Sequence, residues 1–233
     1  MEIGIIGATG NIGRRTVEEA LARGHHVTGF TRDVAKVETS GPNIIWKPID
    51  VLDAASVREA IGGLDVLISL YQPGNAAKDF NDTVARSIAD PSVYVTAAKA
   101  LLAALTDHPR IRLIVVGGAG SLEIRPGVAL ADSPDVLREG LTSLGLPAEY
   151  EAAVRGHRDA LNVYRLSNRL WAYLSPAELI YAGQRTGRFR IGSDQAVRDA
   201  DGQSRISFED AAVALIDEAE LPRHVQRRFT IGY

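Results

Sequence analysis

The chain has 233 residues, no cysteine, 45% hydrophobic content and a formal charge of -3, with acidic and basic side chains interspersed. That length suits one substantial core, and the lack of cysteine excludes disulfides, thiolate catalysis and cysteine-ligated metal or iron–sulfur sites. The mixed charge leaves no basic stripe for nucleic acid and no polybasic membrane patch. No apolar run reaches bilayer length and a strand-like segment follows Met1 directly, so the expectation is a soluble, cytoplasmic protein without a signal peptide.

Short runs of Ile, Val and Leu alternate with helical patterns, the mark of a parallel sheet covered by helices on both faces. EIGII predicts a first strand, and NIGRRTVEEALARG a helix with Ile12, Val17, Ala20 and Leu21 at helical spacing, stopped by Gly24. HHVTGFTR and NIIWKPID predict strands two and three, ASVREAIGG a short helix, and LDVLISL a fourth strand. Residues 79 to 107 predict helix interrupted near Asp90–Pro91, because the residue before a proline avoids the helical region. IRLIVVGG predicts strand five. Residues 119 to 147, rich in Gly, Pro and Asp, predict a loop with one short helix at the wall of a site. PAEYEAAVRGHRDALNVYR predicts a helix with Pro147 near its first turn, and RLWAYLSPAELI holds strand six. SRISFEDAAVALIDEAELP offers Ser207 as an N-cap with Asp210 in the capping-box position, and RRFTIGY predicts a last strand. No linker or repeat divides the chain. It is expected to form one domain in which residues from about 175 to 233 add a small substrate-side lobe.

In GATGNIG, Gly7, Gly10 and Gly13 lie between the first strand and the first helix. Such a triplet gives a tight turn, a close backbone approach to a diphosphate, and close packing of helix on strand, with the helix N-terminus facing the anion. The context of strand, turn and helix makes dinucleotide binding the expected role and a Rossmann-type, doubly wound, mostly parallel sheet the expected fold. At the end of strand two an NAD site normally places a carboxylate for the ribose hydroxyl, whereas this chain has Thr31 and Arg32. A guanidinium forks onto a 2′-phosphate, so NADPH is favoured, with NADH the alternative, and Arg32 paired with Asp33 is the structural alternative. The five histidines (His25, His26, His108, His157 and His224) lack metal-site spacing, so no metal is expected.

GATGNIGRRTVEEALARGHHVTGFTRD, PIDVLDAASV, DVLISLY, VVGGAGSLE, SPAELIYAGQRTG and ISFEDAAVALIDEAE together resemble the atypical short-chain dehydrogenases/reductases of the NmrA-like group. Within it the chain is most similar to bacterial NAD(P)H-binding proteins described as NADH-flavin reductases, and more distantly to biliverdin reductase B. The resemblance implies that Gly7, Thr9, Gly10, Asn11 and Ile12 wrap the diphosphate and that Arg32 meets the adenosine phosphate. It also implies that Asp50 and Val51 lie beside the adenine, that Ser69, Leu70 and Tyr71 border the nicotinamide ribose, and that Ser175 to Glu178 lie near the carboxamide. Independently, Asp50, Leu70 and Gly118 end predicted strands, where ligands bind in an open parallel sheet.

Typical short-chain dehydrogenases use a serine, a tyrosine and a lysine four residues after the tyrosine, the cation lowering the phenol pKa. Ser121 lies just past strand five and Tyr150 near a helix start, and these are the catalytic candidates, but Val154 stands four residues after Tyr150. A hydride transfer that needs no tuned phenol fits this pattern, because the cofactor carries the chemistry. The expected activity is therefore NADPH-dependent reduction of a flavin, quinone or similar small conjugated acceptor by a monomer or homodimer. The alternative is a regulatory protein that holds NADP(H) as a redox sensor without turnover. An epimerase would call on the missing Tyr–Lys pair.

Overall fold

A computed structural model describes residues 1–37, 39–73 and 79–233. In its first half Glu2–Ile6 (β1), Asn11–Ala22 (α1), His26–Thr31 (β2), Ile44–Pro48 (β3), Ala54–Ala60 (α2) and Val66–Ser69 (β4) follow in order. Phe80–Ala89 (α3), Val93–Ala104 (α4) and Arg112–Val116 (β5) come next, with the expected break between the two helices. The second half contains Glu123–Arg125 (β6), Val128–Ala129 (β7), Pro134–Ser143 (α5), Glu151–Arg165 (α6), Trp171–Leu174 (β8) and Leu179–Tyr181 (β9). Arg190–Gly192 (β10), Arg205–Ser207 (β11), Phe208–Glu220 (α7) and Arg227–Gly232 (β12) complete it.

Among the described residues, eight strands form one sheet in the order β10-β12-β8-β5-β4-β1-β2-β3. All neighbours are parallel except β10, which runs antiparallel to β12 at the edge. This is the doubly wound, Rossmann-type sheet. The chain moves outward from β1 to β3, returns to β4, and moves outward again on the other side. The order reverses between β1 and β4, and a crevice opens there at the strand C-termini.

Strand side chains alternate between two cores. Ile3, Ile5, Val66, Ile68, Ile114, Ala172 and Leu174 pack on the face that includes Val17 and Ala20 of α1 and Leu215 of α7. Ile6, Leu67, Leu113, Trp171 and Tyr173 pack on the face that includes Val57 of α2, Leu101 of α4 and Leu161 of α6. Burial on both faces is why these strands read as continuous apolar runs.

The later half departs from its sequence pattern in several places. Residues 119 to 147 contain the β6–β7 hairpin as well as a helix. Pro147 is extended and caps a 3₁₀ turn at Ala148–Tyr150, so α6 begins only at Glu151. RLWAYLSPAELI splits into β8 in the main sheet and β9, which pairs in parallel with β11. Among the described residues, no helix is long and apolar enough to cross a membrane.

Candidate functional site

The glycine loop turns straight from β1 into α1. Gly7 has φ 77°, the left-handed region open to glycine, and the Gly10 N–H closes the turn on the Gly7 carbonyl at 3.0 Å. A Cβ on Gly13 would stand 2.0 Å from that same carbonyl oxygen, so α1 sits this close to the loop only because residue 13 is glycine. Gly10 is the N-cap of α1, with extended backbone and no side-chain cap, which leaves the helix end with its partial positive charge open to an anion.

A cleft of about 650 Å³ starts here, with Thr9, Asn11 and Ile12 beside the three glycines. It crosses the ends of β4 and β5 at Leu70, Tyr71, Val116 and Gly117. Its far walls are Gln72, Asp79 and Thr83 on one side and Pro176, Ile180 and Phe208 on the other. Burial pushes the Tyr71 phenol pKa up against the pull of Arg32, so the hydroxyl stays protonated. Phe208 is fixed from outside by Arg15, whose guanidinium lies 5.2 Å from the ring centroid and pairs with Glu209.

An open depression of about 740 Å³ at the ends of β2 and β3 is lined by Arg32, Lys47, Asp50, Ser56 and Glu59, among others. Arg32 is exposed and, among the described residues, forms no ion pair. The neighbouring Asp33 caps the next turn instead, accepting the Ala35 N–H at 3.2 Å. Asp50 is also exposed, while Val51 is buried in the core.

The remaining candidates do not line the cleft. Ser69 is buried at the end of β4, and the Gly118 carbonyl accepts the Ser121 hydroxyl at 2.9 Å. Ser121 is buried, and its Oγ is 2.7 Å from Ser175 Oγ. With the Ser121 proton on Gly118, Ser175 is the donor of that second bond. Tyr150 is half-buried, and burial raises its pKa. The structure thus gathers the glycine loop, Leu70 and Tyr71 in one cleft and leaves Ser121 and Tyr150 outside its lining. Sequence reasoning missed Gln72, Gly117, Ile180 and Phe208 as cleft residues. Gln72 and Gly117 directly follow apolar strand runs, a signal that was there to read, whereas Phe208 arrives only by tertiary folding.

A family model described as NAD(P)H-binding matches residues 7–219. The chain belongs to this NAD(P)H-binding family. YwnB of Bacillus subtilis is 32% identical over 237 positions, spanning 99% of this chain and 98% of that protein. Among solved structures, a "putative exported protein" from Burkholderia pseudomallei is 37% identical with a TM-score of 0.80, covering 100% of both chains. A "putative epimerase" from Bacteroides thetaiotaomicron is 33% identical with a TM-score of 0.81, covering 100% of this chain and 96% of its own. A "putative NADH-flavin reductase" from Streptococcus pneumoniae is 27% identical with a TM-score of 0.77, covering 100% of this chain and 99% of its own. The glycine loop has the features a diphosphate-binding turn needs: a left-handed turn, a helix packed against it without a Cβ between, and an uncapped N-terminus.

Proposed function

We propose that the protein is an NADPH-dependent oxidoreductase that delivers hydride to a flavin, quinone or similar small conjugated acceptor. The observation that carries this reading is the single cleft that runs from the glycine loop to broad apolar walls at Leu70, Val116, Pro176, Ile180 and Phe208. Such walls suit a planar ring system, and the similarity to the NADH-flavin reductase type supports a ring of that kind. In this reading Gly7, Thr9, Gly10, Asn11, Ile12 and Gly13 hold the diphosphate at the start of α1. Asp50 and Val51 border the adenine, Ser69, Leu70, Tyr71 and Gly118 support the nicotinamide side, and Arg32 meets the 2′-phosphate. Residues 175 to 233 supply the acceptor side through Pro176, Ile180 and Phe208.

NADPH supplies the hydride when bound, and the chain's own residues orient the rings and exclude water. Ser121 spends its proton on Gly118 and Tyr150 stands outside the cleft lining, so in this reading neither hydroxyl moves a proton. Val154 occupies the place where carbonyl reduction would want a lysine. The same two hydroxyls, turned away from the cleft, also favour a second reading: a redox sensor that holds NADP(H) without turnover.

Steady-state NADPH oxidation against free flavins and quinones separates the two. Enzyme-dependent turnover, with Ser121→Ala and Tyr150→Phe each within about fivefold of the wild-type kcat, is the expected result; a loss on the order of 100-fold in either would place that hydroxyl in the chemistry. Saturable NADPH binding with no turnover of any acceptor would replace the reductase by the sensor.

A further inference from the structure

We infer that Gln72 is a dedicated acceptor for one amide or imide N–H of a ligand in the cleft; the inference rests on the cleft holding a nicotinamide nucleotide, as proposed above. Gln72 follows Tyr71 past the end of β4 and lines the cleft. Its carboxamide is fixed from behind by Ser87 of α3, Tyr94 of α4 and His157 of α6.

The orientation of that amide follows from one proton. Ser87 is fully buried, and its Oγ donates to the Thr83 carbonyl at 2.8 Å, so it has only acceptor capacity left for other partners. Gln72 Nε2, 3.2 Å from Ser87 Oγ, therefore faces it as the donor, and its other N–H reaches the buried Tyr94 hydroxyl at 3.3 Å. This puts Oε1 on the other side, 3.2 Å from His157 Nε2, so the imidazole carries its proton on Nε2 and donates. The imidazole is also packed against the Tyr94 ring at 4.0 Å between centroids.

A primary amide has two donors and two acceptor lone pairs. Here both donors and one lone pair are consumed inside the protein. What Gln72 has left for the cleft is one lone pair on Oε1. It attracts a donor and repels a carbonyl oxygen placed at the same point. Among the ligands proposed for the cleft, an unsubstituted quinone has no such donor. The nicotinamide carboxamide and the imide of an isoalloxazine each have one.

The test is affinity within two matched pairs, measured by titration on the full chain. The first pair is NADP⁺ and its 3-acetylpyridine analogue, which lacks the carboxamide N–H. The second, titrated with NADP⁺ present, is lumiflavin and N3-methyl-lumiflavin. Wild-type protein is expected to bind one analogue about tenfold more weakly than its parent, the worth of one hydrogen bond. A loss in the first pair assigns Gln72 to the cofactor; a loss in the second assigns it to the acceptor. Gln72→Met, which keeps the length and removes the lone pair, should bring the ratio to about one while the parent ligands still bind, which shows that the variant is folded. Equal affinities within both pairs in the wild type overturn the inference, as does a ratio that survives in Gln72→Met. A missing turnover in the flavin and quinone assay would sink the reductase reading and leave these binding ratios as they are.

Discussion

In the proposed reading, Arg32 is the residue on which the choice of nucleotide turns. It stands just beyond β2 with no ion pair among the described residues, while Lys47 of β3 lines the same depression. Arg32→Glu exchanges attraction for repulsion at a 2′-phosphate, so NADPH affinity should fall on the order of 100-fold and NADH affinity by no more than a few-fold. Fluorescence titration of both nucleotides reads this, and equal losses would remove the assignment. His157, which holds Gln72 from behind, matters through its charge state. Burial lowers its pKa from 6.5 to about 4, so between those values the unfolded chain takes up a proton that the folded chain refuses. Stability from the neutral, desolvated imidazole is fully present above pH 6.5 and is lost as pH falls towards 4, a loss of about 3 kcal/mol in total. Urea unfolding at pH 7.5, 6, 5 and 4.5 should show this slope in the wild type and a shallower one in His157→Gln, which does not titrate. Parallel slopes would mean the proton uptake lies elsewhere.

At the scale of elements, α7 shows how one helix start organises a large part of the C-terminal segment. Ser207 accepts the Asp210 N–H at 3.0 Å as an N-cap and donates to the Gln184 carbonyl, with its Oγ 2.9 Å from the Tyr233 hydroxyl, whose one proton goes to Asp210. Asp210 does not reach back to close a capping box. Its fully buried carboxylate accepts the Thr186 and Gly187 N–H groups, each at 2.8 Å, and the Tyr233 hydroxyl. Ser207→Ala should therefore cost about 1–2 kcal/mol and lower Tm by roughly 3–6 °C, read by thermal unfolding at fixed pH. An unchanged Tm would show that Tyr233 and Asp210 hold the turn without the hydroxyl. The cap was legible in the sequence because Ser, two residues and an acid before an apolar run is a local signal. So were β1, α1, the two-faced strands and the helix break before Pro91, each written in periodicity or a local steric rule. The hairpin β6–β7 and the strands β9, β10 and β11 were not. Each has two or three residues, too few for a period to show, and the partners of β9, β10 and β11 lie far away in the chain. The site divides in the same way: the glycine loop is contiguous and readable, whereas Gln72 gains its meaning from Ser87, Tyr94 and His157, which three different helices bring to it.

At the scale of the molecule, the cleft joins what the chain separates. Its lining comes from the loop after β1, the ends of β4 and β5, the first turn of α3, the segment after β8, and the first residue of α7. A nucleotide seated there bridges both halves of the doubly wound sheet, and the unfolded chain offers it no comparable site. Binding to the folded state alone stabilises it by mass action, about 2.7 kcal/mol at a concentration 100 times Kd. For a chain of this size that raises Tm by roughly 5–10 °C. Each tenfold difference in affinity is worth about 1.4 kcal/mol, so at equal saturating concentrations NADPH should lift Tm further than NADH by several degrees if Arg32 meets the 2′-phosphate. The Arg32→Glu protein supplies the internal control, because there the NADPH increment should shrink to the NADH value or below it. Equal shifts with both nucleotides in the wild type would separate Arg32 from nucleotide choice, and no shift with either at millimolar concentration would show that the cleft does not hold the nucleotide at all.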